Sequence, residues 1–322
     1  RVDAQLDEMI QNKYKFINYN GLTKKKFKTL TNNYKTNIFD NSVIIIDEAH
    51  KQNLRVYANV VTLADAKDLV KAGIDGVIQS VRDRDVDSEL ISMMKEKNTL
   101  LTPALTGAEA TFIYADKPNW LGEQTMREVY PAQLSAYLAD PVVMNRFRRA
   151  ADTPQLRQQY STATKNLKKM AEAGVRIGFG TASGLSDTYP GYFEHRELEL
   201  MVAAGMSPMD TIKAATSVSA GVLGLKDIGT LAVGKQADFL VLSSNPLEKM
   251  TDSKSIDTIY RKGQKLDRLP LIQNITIDVP RVTEKDRAQE AAEAAKEAAA
   301  AAEAKLPHYG KFVLGASQNV RG

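Results

Sequence analysis

Few side chains in this sequence could carry chemistry. There are three histidines, His50, His195 and His308, and no cysteine. A catalytic zinc site ordinarily takes two or three imidazoles, so an imidazole-rich metal centre is not expected. The lack of cysteine excludes disulfides, thiolate metal sites and a cysteine nucleophile. No Gly-x-x-x-x-Gly-Lys-Ser/Thr segment occurs, so nothing in the sequence cradles nucleotide phosphates. Two charged runs remain as candidates for ligand contact. One is Arg82 and Asp83 with Asp85, and the other is His195 and Arg196 with Glu197. The alternative for each is a salt-bridged loop.

The elements that must position these groups lie in a chain of 322 residues, enough for one large domain or two modest ones. Hydrophobic residues make up 43% and charged residues 25%, as in ordinary soluble globular proteins. A formal charge of +4 does not imply a nucleic-acid partner. No apolar run reaches the roughly 18 residues of a membrane helix, and no signal-peptide pattern opens the chain. The first residue is Arg1, which reads as a fragment or a processed chain and leaves localisation open.

Strand and helix patterns alternate through the middle of the sequence. Residues 55–61, 76–80, 99–105 and 175–180 read as strands, the third broken by Pro103. Residues 63–72, 86–97 and 166–173 read as helices, with Gly73 and Gly174 as stops. Strands separated by helices of about ten residues imply βαβ units and a parallel sheet. Residues 107–165 form a long excursion, read as helical hairpins, with Trp120 and the run Arg146-Phe147-Arg148-Arg149. Residues 194–204 and 208–215 are expected helices. Residues 228–231 and 237–242 are expected to pair as a hairpin around Val233-Gly234-Lys235, with one more strand at 257–263. Thr283 and Asp286 fit a capping box that opens an Ala/Glu helix over 284–305. That helix lacks a large apolar stripe, so it reads as a solvated helix or spacer.

Two phrases carry a family likeness. The first runs from Asp47-Glu48-Ala49-His50 through Val56-Tyr57-Ala58-Asn59-Val60 to Val77-Ile78-Gln79-Ser80-Val81-Arg82-Asp83. The second is Gly178-Phe179-Gly180-Thr181-Ala182-Ser183-Gly184, followed by His195-Arg196-Glu197-Leu198-Glu199 and Gly234-Lys235-Gln236-Ala237-Asp238. Together they resemble the metal-dependent amidohydrolase superfamily, in its imidazolonepropionase and Xaa-Pro dipeptidase-like branch. The likeness covers about residues 47–266 and corresponds to the C-terminal half of such an enzyme. It implies a (β/α)8 barrel with a flanking β-domain, in which histidines end the fifth and sixth strands and an aspartate ends the eighth. Those histidines bind zinc or another divalent metal that makes a hydroxide from bound water. The aspartate orients the water and moves its proton. Here the matching positions hold Asn59, Gln79 and Ala182. Neutral amide oxygens are poor zinc ligands and a methyl group takes no proton, so no cofactor and no hydrolysis are expected. In the barrel frame Arg82, Asp83, His195 and Arg196 belong at the mouth, where such sites lie.

The front half of the family barrel is also short. Four βα units need roughly 100 residues or more, at ~30 per βαβ unit, and 46 residues precede Asp47 with no His-x-His among them. These residues are rich in Lys, Asn and Tyr, and Val43-Ile44-Ile45-Ile46-Asp47-Glu48-Ala49-His50 also resembles the Walker B strand of a DEAH-type viral helicase. A join of two sequences at the shared Asp-Glu-Ala-His stretch accounts for the compositional change at residues 46–47.

The expected architecture is therefore α/β: an incomplete (β/α)8 TIM-type barrel, strands 5 to 8, with part of a small β-sandwich domain. Its segments are 1–46 of uncertain fold, 47–225 as half barrel with the insertion 107–165, 226–266 as β-domain strands, and 267–322 as a tail with the helix. The expected function is that of an inactive amidohydrolase-family protein. The alternatives are a binding or assembly subunit paired with an active homologue, and a helicase-like fragment. Exposed strand edges of a half barrel lead to an expectation of self-association or of a homologous partner subunit, without nucleic acid or membrane.

Overall fold

The computed structural model describes residues 46, 49–150, 152–184, 187–267 and 279–304. The expected segment 1–46 therefore lies outside the described residues except for Ile46. Ile46 and residues 49–51 are helical. The Walker B likeness implies a strand at Ile46, and Ile46 is helical. The chain divides into two compact units, Arg1–Thr102 with Lys169–Ile177, and Pro103–Lys168 with Gly178–Gly322. The division falls inside the segment expected as half barrel.

The first unit is a parallel sheet with helical crossovers. Strand β1 (Tyr57–Asn59), helix α1 (Leu63–Lys71), strand β2 (Gly76–Ile78), helix α2 (Ser88–Glu96) and strand β3 (Leu100–Thr102) follow in order. The strands are parallel neighbours in the order β1-β2-β3. Leu101 makes a further parallel bridge to Ile177, so four consecutive strand positions lie side by side. The expected fourth strand at 175–180 shrinks to that single bridge. Each helix begins on an oxygen-bearing cap. Thr62 Oγ1 accepts from Asp65 N at 3.2 Å, and Asp87 accepts from Leu90 N at 3.0 Å. Gly73, at φ +93°, ends α1 in a conformation that costs glycine little. The apolar faces of both helices, through Leu63, Ala66, Val70, Leu90 and Met94, are buried with Val77, Leu100 and Leu101.

The second unit is mostly helical. The excursion after β3 is helical as expected: α3 (Leu105–Ala110), two short 3-10 turns, α4 (Gln124–Val129), α5 (Ala132–Leu138), α6 (Pro141–Arg149) and the long α7 (Thr153–Glu172). The α7 helix begins well before the expected residue 166, and its last turn belongs to the first unit. Helix α8 (Tyr192–Ala203) follows, then α9 (Pro208–Lys213), which continues through a π turn into α10 (Ser219–Val222). Tyr114, Trp120, Met126, Leu134, Leu138, Tyr192 and Phe193 form the core. The Trp120 ring meets Tyr192 at 5.1 Å and Phe193 edge-on at 5.7 Å.

The β-domain corrects one expected pairing. Strand β4 (Phe239–Leu242) does not pair with residues 228–231, of which 228–230 are bends and 231 is irregular. It pairs antiparallel with β5 (Ile256–Arg261), which turns into β6 (Gln264–Leu266). The reason is in the side chains. Phe239 stacks on Tyr260 at 4.6 Å, and Asp238 Oδ1 accepts from Lys262 N at 2.7 Å. Lys262 and Gly263 both have positive φ, as a two-residue hairpin turn requires. Among the described residues this is one three-stranded sheet. The tail helix α11 (Glu284–Ala304) starts on the expected Thr283–Asp286 box.

Trp120 touches several rings of the core at once. Trp120→Ala is expected to cost about 3–5 kcal/mol of unfolding free energy, read by urea denaturation of the second unit's aromatic signal.

Candidate functional site

In the first unit, the ends of neighbouring strands bring two of the sequence-derived positions together. Asn59 closes β1 and is exposed. Its register partner is Ile78, so Gln79 follows directly on the adjacent strand. Val60 N donates to Ile78 O at 3.0 Å, and Gln79 N to Thr102 O at 2.8 Å. The Gln79 backbone has φ +73°, a left-handed conformation that is costly for a residue with a Cβ. Its Oε1 is buried without a hydrogen-bond partner. A strained backbone and an unmet acceptor thus coincide at one strand end.

Arg82 and Asp83 follow on the same side of the sheet sequence but serve different ends. Asp83 Oδ1 accepts from Leu63 N at 2.9 Å, capping α1, and Oδ2 accepts from Arg84 Nε at 2.9 Å. The guanidinium of Arg82 is half-buried, and burial lowers its pKa. Among the described residues none bonds to it. His50 is also placed in this unit, with Nε2 at 2.9 Å from Asp75 Oδ2. His308 lies outside the described residues.

In the second unit, Ala182 sits in a turn held by its neighbours. Thr188 donates its hydroxyl to Ala182 O at 2.8 Å, and the Thr181 hydroxyl donates to Glu194 Oε1 at 2.9 Å. Gly107 on α3 packs so closely that a Cβ built there would stand 2.8 Å from the Ala182 Cβ.

The run His195-Arg196-Glu197 lies on α8, where successive side chains point about 100° apart, and the structure separates them. His195 Nδ1 is 3.0 Å from Ser253 Oγ. It lines a cleft of about 560 Å³ with Glu128, Lys254, Ser255 and Ile259. Arg196 turns to Glu109, donating from Nε and Nη2 at 3.0 and 2.6 Å, and to Glu199 from Nη1 at 3.1 Å. Glu197 is fully buried. It accepts from Leu105 N at 2.8 Å, Thr106 N at 2.7 Å and the Thr106 hydroxyl at 2.8 Å. Burial pushes its pKa up to about 7 in spite of those three donors, and the Glu109 carboxylate adds to the rise.

The ion network around α8 had no signature in the sequence. Lys254 Nζ lies 2.5 Å from Glu123 Oε2 and 2.7 Å from Glu199 Oε1, over the face of Tyr192 at 5.2 Å. These partners are separated by as many as 131 residues, so no local pattern announces them.

The sequence profile of the Amidohydrolase family matches residues 19–266. The chain belongs to the amidohydrolase family. The match starts upstream of the expected residue 47 and takes in most of the Lys/Asn-rich segment. Among curated proteins the chain is similar to 5-methylthioadenosine/S-adenosylhomocysteine deaminase of Bacillus thuringiensis (strain Al Hakam), 29% identical over 149 residues. That alignment covers 41% of this chain and 34% of the relative, so the chain spans about a third of the length of the curated relative it matches. Among solved amidohydrolases it resembles a Xaa-Pro dipeptidase with bound methionine, TM-score 0.53, 21% identity, covering 70% of this chain and 48% of that one. It also resembles phenylurea hydrolase B, TM-score 0.54, 20% identity, covering 76% and 50%. These likenesses show the fold, an α/β architecture of the (β/α)8 barrel type.

Two substitutions probe this geometry. Glu197 has its pKa raised from 4.5 to about 7, so its contribution is full below pH 4.5 and is lost as pH rises through 7. Unfolding free energy is expected to fall by up to about 3 kcal/mol more between pH 5 and 8 in the parent chain than in Glu197→Gln. Gly107→Ala is expected to destabilise by roughly 1–3 kcal/mol. Ala182→Gly in the same chain should return most of that loss in a double-mutant cycle.

Proposed function

We propose that this chain is an amidohydrolase-family protein without hydrolytic chemistry. Its barrel portion would correspond to strands 5 to 8 of the family fold. The family's relatives act on carbon–nitrogen bonds, as the names deaminase and dipeptidase indicate, and such a bond is the substrate class from which this chain would derive. The observation that carries the reading is the chemistry of three positions. Asn59 ends β1 and Gln79 directly follows its register partner Ile78 on β2, and both offer amide groups. Ala182 offers a methyl group where a carboxylate would take the proton. A divalent metal does not fit this donor set, because zinc prefers imidazole nitrogen, thiolate or carboxylate. The backbone strain at Gln79 supports the same view: the strand end keeps a demanding conformation although its amide Oε1 meets no partner.

A second reading is a non-catalytic binding or assembly subunit that associates with itself or with an active homologue. It is favoured by large apolar side chains left in solvent on the second unit. Leu231 is 72% exposed and Leu223 71%, and Leu240 and Val241 on β4 are both exposed. Exposed apolar patches and open strand edges commonly mark association surfaces. In this reading His195 and its cleft on the second unit would be a contact left for a ligand.

Purified chain equilibrated with zinc and then desalted is expected to retain well under one metal per chain. Stoichiometric zinc by elemental analysis contradicts the reading. Restoring the family residues by Asn59→His, Gln79→His and Ala182→Asp is expected to leave dipeptide hydrolysis and adenosine-type deamination undetectable with added zinc. Turnover in that triple variant would locate the whole deficit in those three side chains.

A further inference from the structure

The tail helix α11 is attached to the second unit in an unusual way. Over residues 284–302 the partly covered side chains are Asp286, Glu290 and Glu293, and every alanine is exposed. These acids, with Glu297, recur at helical spacing along one face and meet α6 of the helical excursion. Arg149 bonds Glu290 at 2.5 Å, Glu293 at 3.2 Å and Glu297 at 2.6 Å. Arg146 pairs with Asp286, Asn145 donates to Glu290 at 2.6 Å, and Arg287 reaches back to Asp140 at 2.9 Å. The apolar anchor lies before the helix, where Val279 packs against the aromatic core. Charge therefore holds the helix itself, and apolar burial holds only its root.

The helix also has its own means of staying folded. It is 21 residues long and dominated by alanine, above the ~15 residues below which isolated helices are marginal. Its N-terminus is self-capped, because Asp286 N donates to Thr283 Oγ1 and Thr283 N donates to Asp286 Oδ2. Leaving α6 breaks no backbone hydrogen bond of either helix.

We propose that the Arg146–Arg149 face of α6 is a docking surface for an acidic helix, occupied in this chain by its own C-terminal helix as a releasable arm. Release follows ionic strength, because the screening length falls from about 10 Å at 0.1 M salt to about 3 Å at 1 M. It also follows competition by another polyacid for the same arginines. The arm leaves as an intact helix pivoting near Val279.

The absence of native cysteine allows a direct trap. Asn145→Cys with Glu290→Cys places a thiol on each helix and leaves the Arg146–Asp286, Arg149–Glu293 and Arg149–Glu297 pairs in place. At low salt the intramolecular disulfide is expected to form readily. Between 0.05 and 1 M potassium chloride its rate should fall about tenfold or more, while helical dichroism at 222 nm and the near-ultraviolet signal of the aromatic core stay constant. Poly-L-glutamate at fixed ionic strength should slow trapping likewise. Arg149→Glu in the trap background should abolish it at low salt, and adding Glu293→Arg with Glu297→Arg should restore it. A trapping rate indifferent to salt, to poly-L-glutamate or to Arg149→Glu overturns the proposal. So does loss of helical signal on release, or a disulfide that forms only between two chains.

Discussion

The second unit depends on the buried carboxylate of Glu197. A charge-bearing group with no solvent contact is costly unless its lone pairs are met. Here two backbone amides and one hydroxyl at the start of α3 meet them. The two amides among them would be orphans at a helix N-terminus without it. The cost on each side offsets the other, and the result fixes α8 against the segment that opens the helical excursion. The neighbours on α8 extend the same attachment. Glu194 accepts from the backbone N–H of Gly191 at the start of the helix, Arg196 clamps Glu109, and Tyr192 and Phe193 enter the aromatic core.

This arrangement explains why a contiguous charged run does not make a contiguous site. His195, Arg196 and Glu197 look like one ligand-contacting cluster when read along the chain. On a helix they diverge, and the interior claims two of them. Arg196 has donors committed to Glu109 and Glu199, and Glu197 is committed to backbone. His195 alone of the three faces the cleft beside Lys254 and Ser255. Asp83 behaves similarly in the first unit, where the need of α1 for a cap takes the carboxylate.

The strand ends make a complementary point about family membership. A parallel sheet positions residues through backbone register, and register depends on β-branched and apolar residues such as Val77, Leu100 and Leu101 rather than on the residue that follows the strand. The frame therefore does not depend on which side chains stand at Asn59 and Gln79. In the other unit Ala182 sits against Gly107, where a Cβ built on the glycine would stand 2.8 Å from the Ala182 Cβ, so the backbone approach there depends on two small residues.

What the sequence determined by itself is what short-range physics determines. The βα alternation from Tyr57 to Thr102, the stop at Gly73, the helical excursion, and the Thr283–Asp286 cap of the tail helix were all legible, because each depends on residues within a turn or two of one another. The family was legible too, through ordered motifs. The tertiary structure alone decided the rest. Phe239 found Tyr260 across the intended hairpin partner, since ring stacking and the Asp238–Lys262 bond outweigh proximity in sequence. The arginines of α6 found acids about 140 residues away, and the lone pairs of Glu197 found Leu105 and Thr106 some 91 residues earlier. Charges and buried polar groups are matched by desolvation and geometry in three dimensions, and no period or spacing in the sequence encodes which partner will be near.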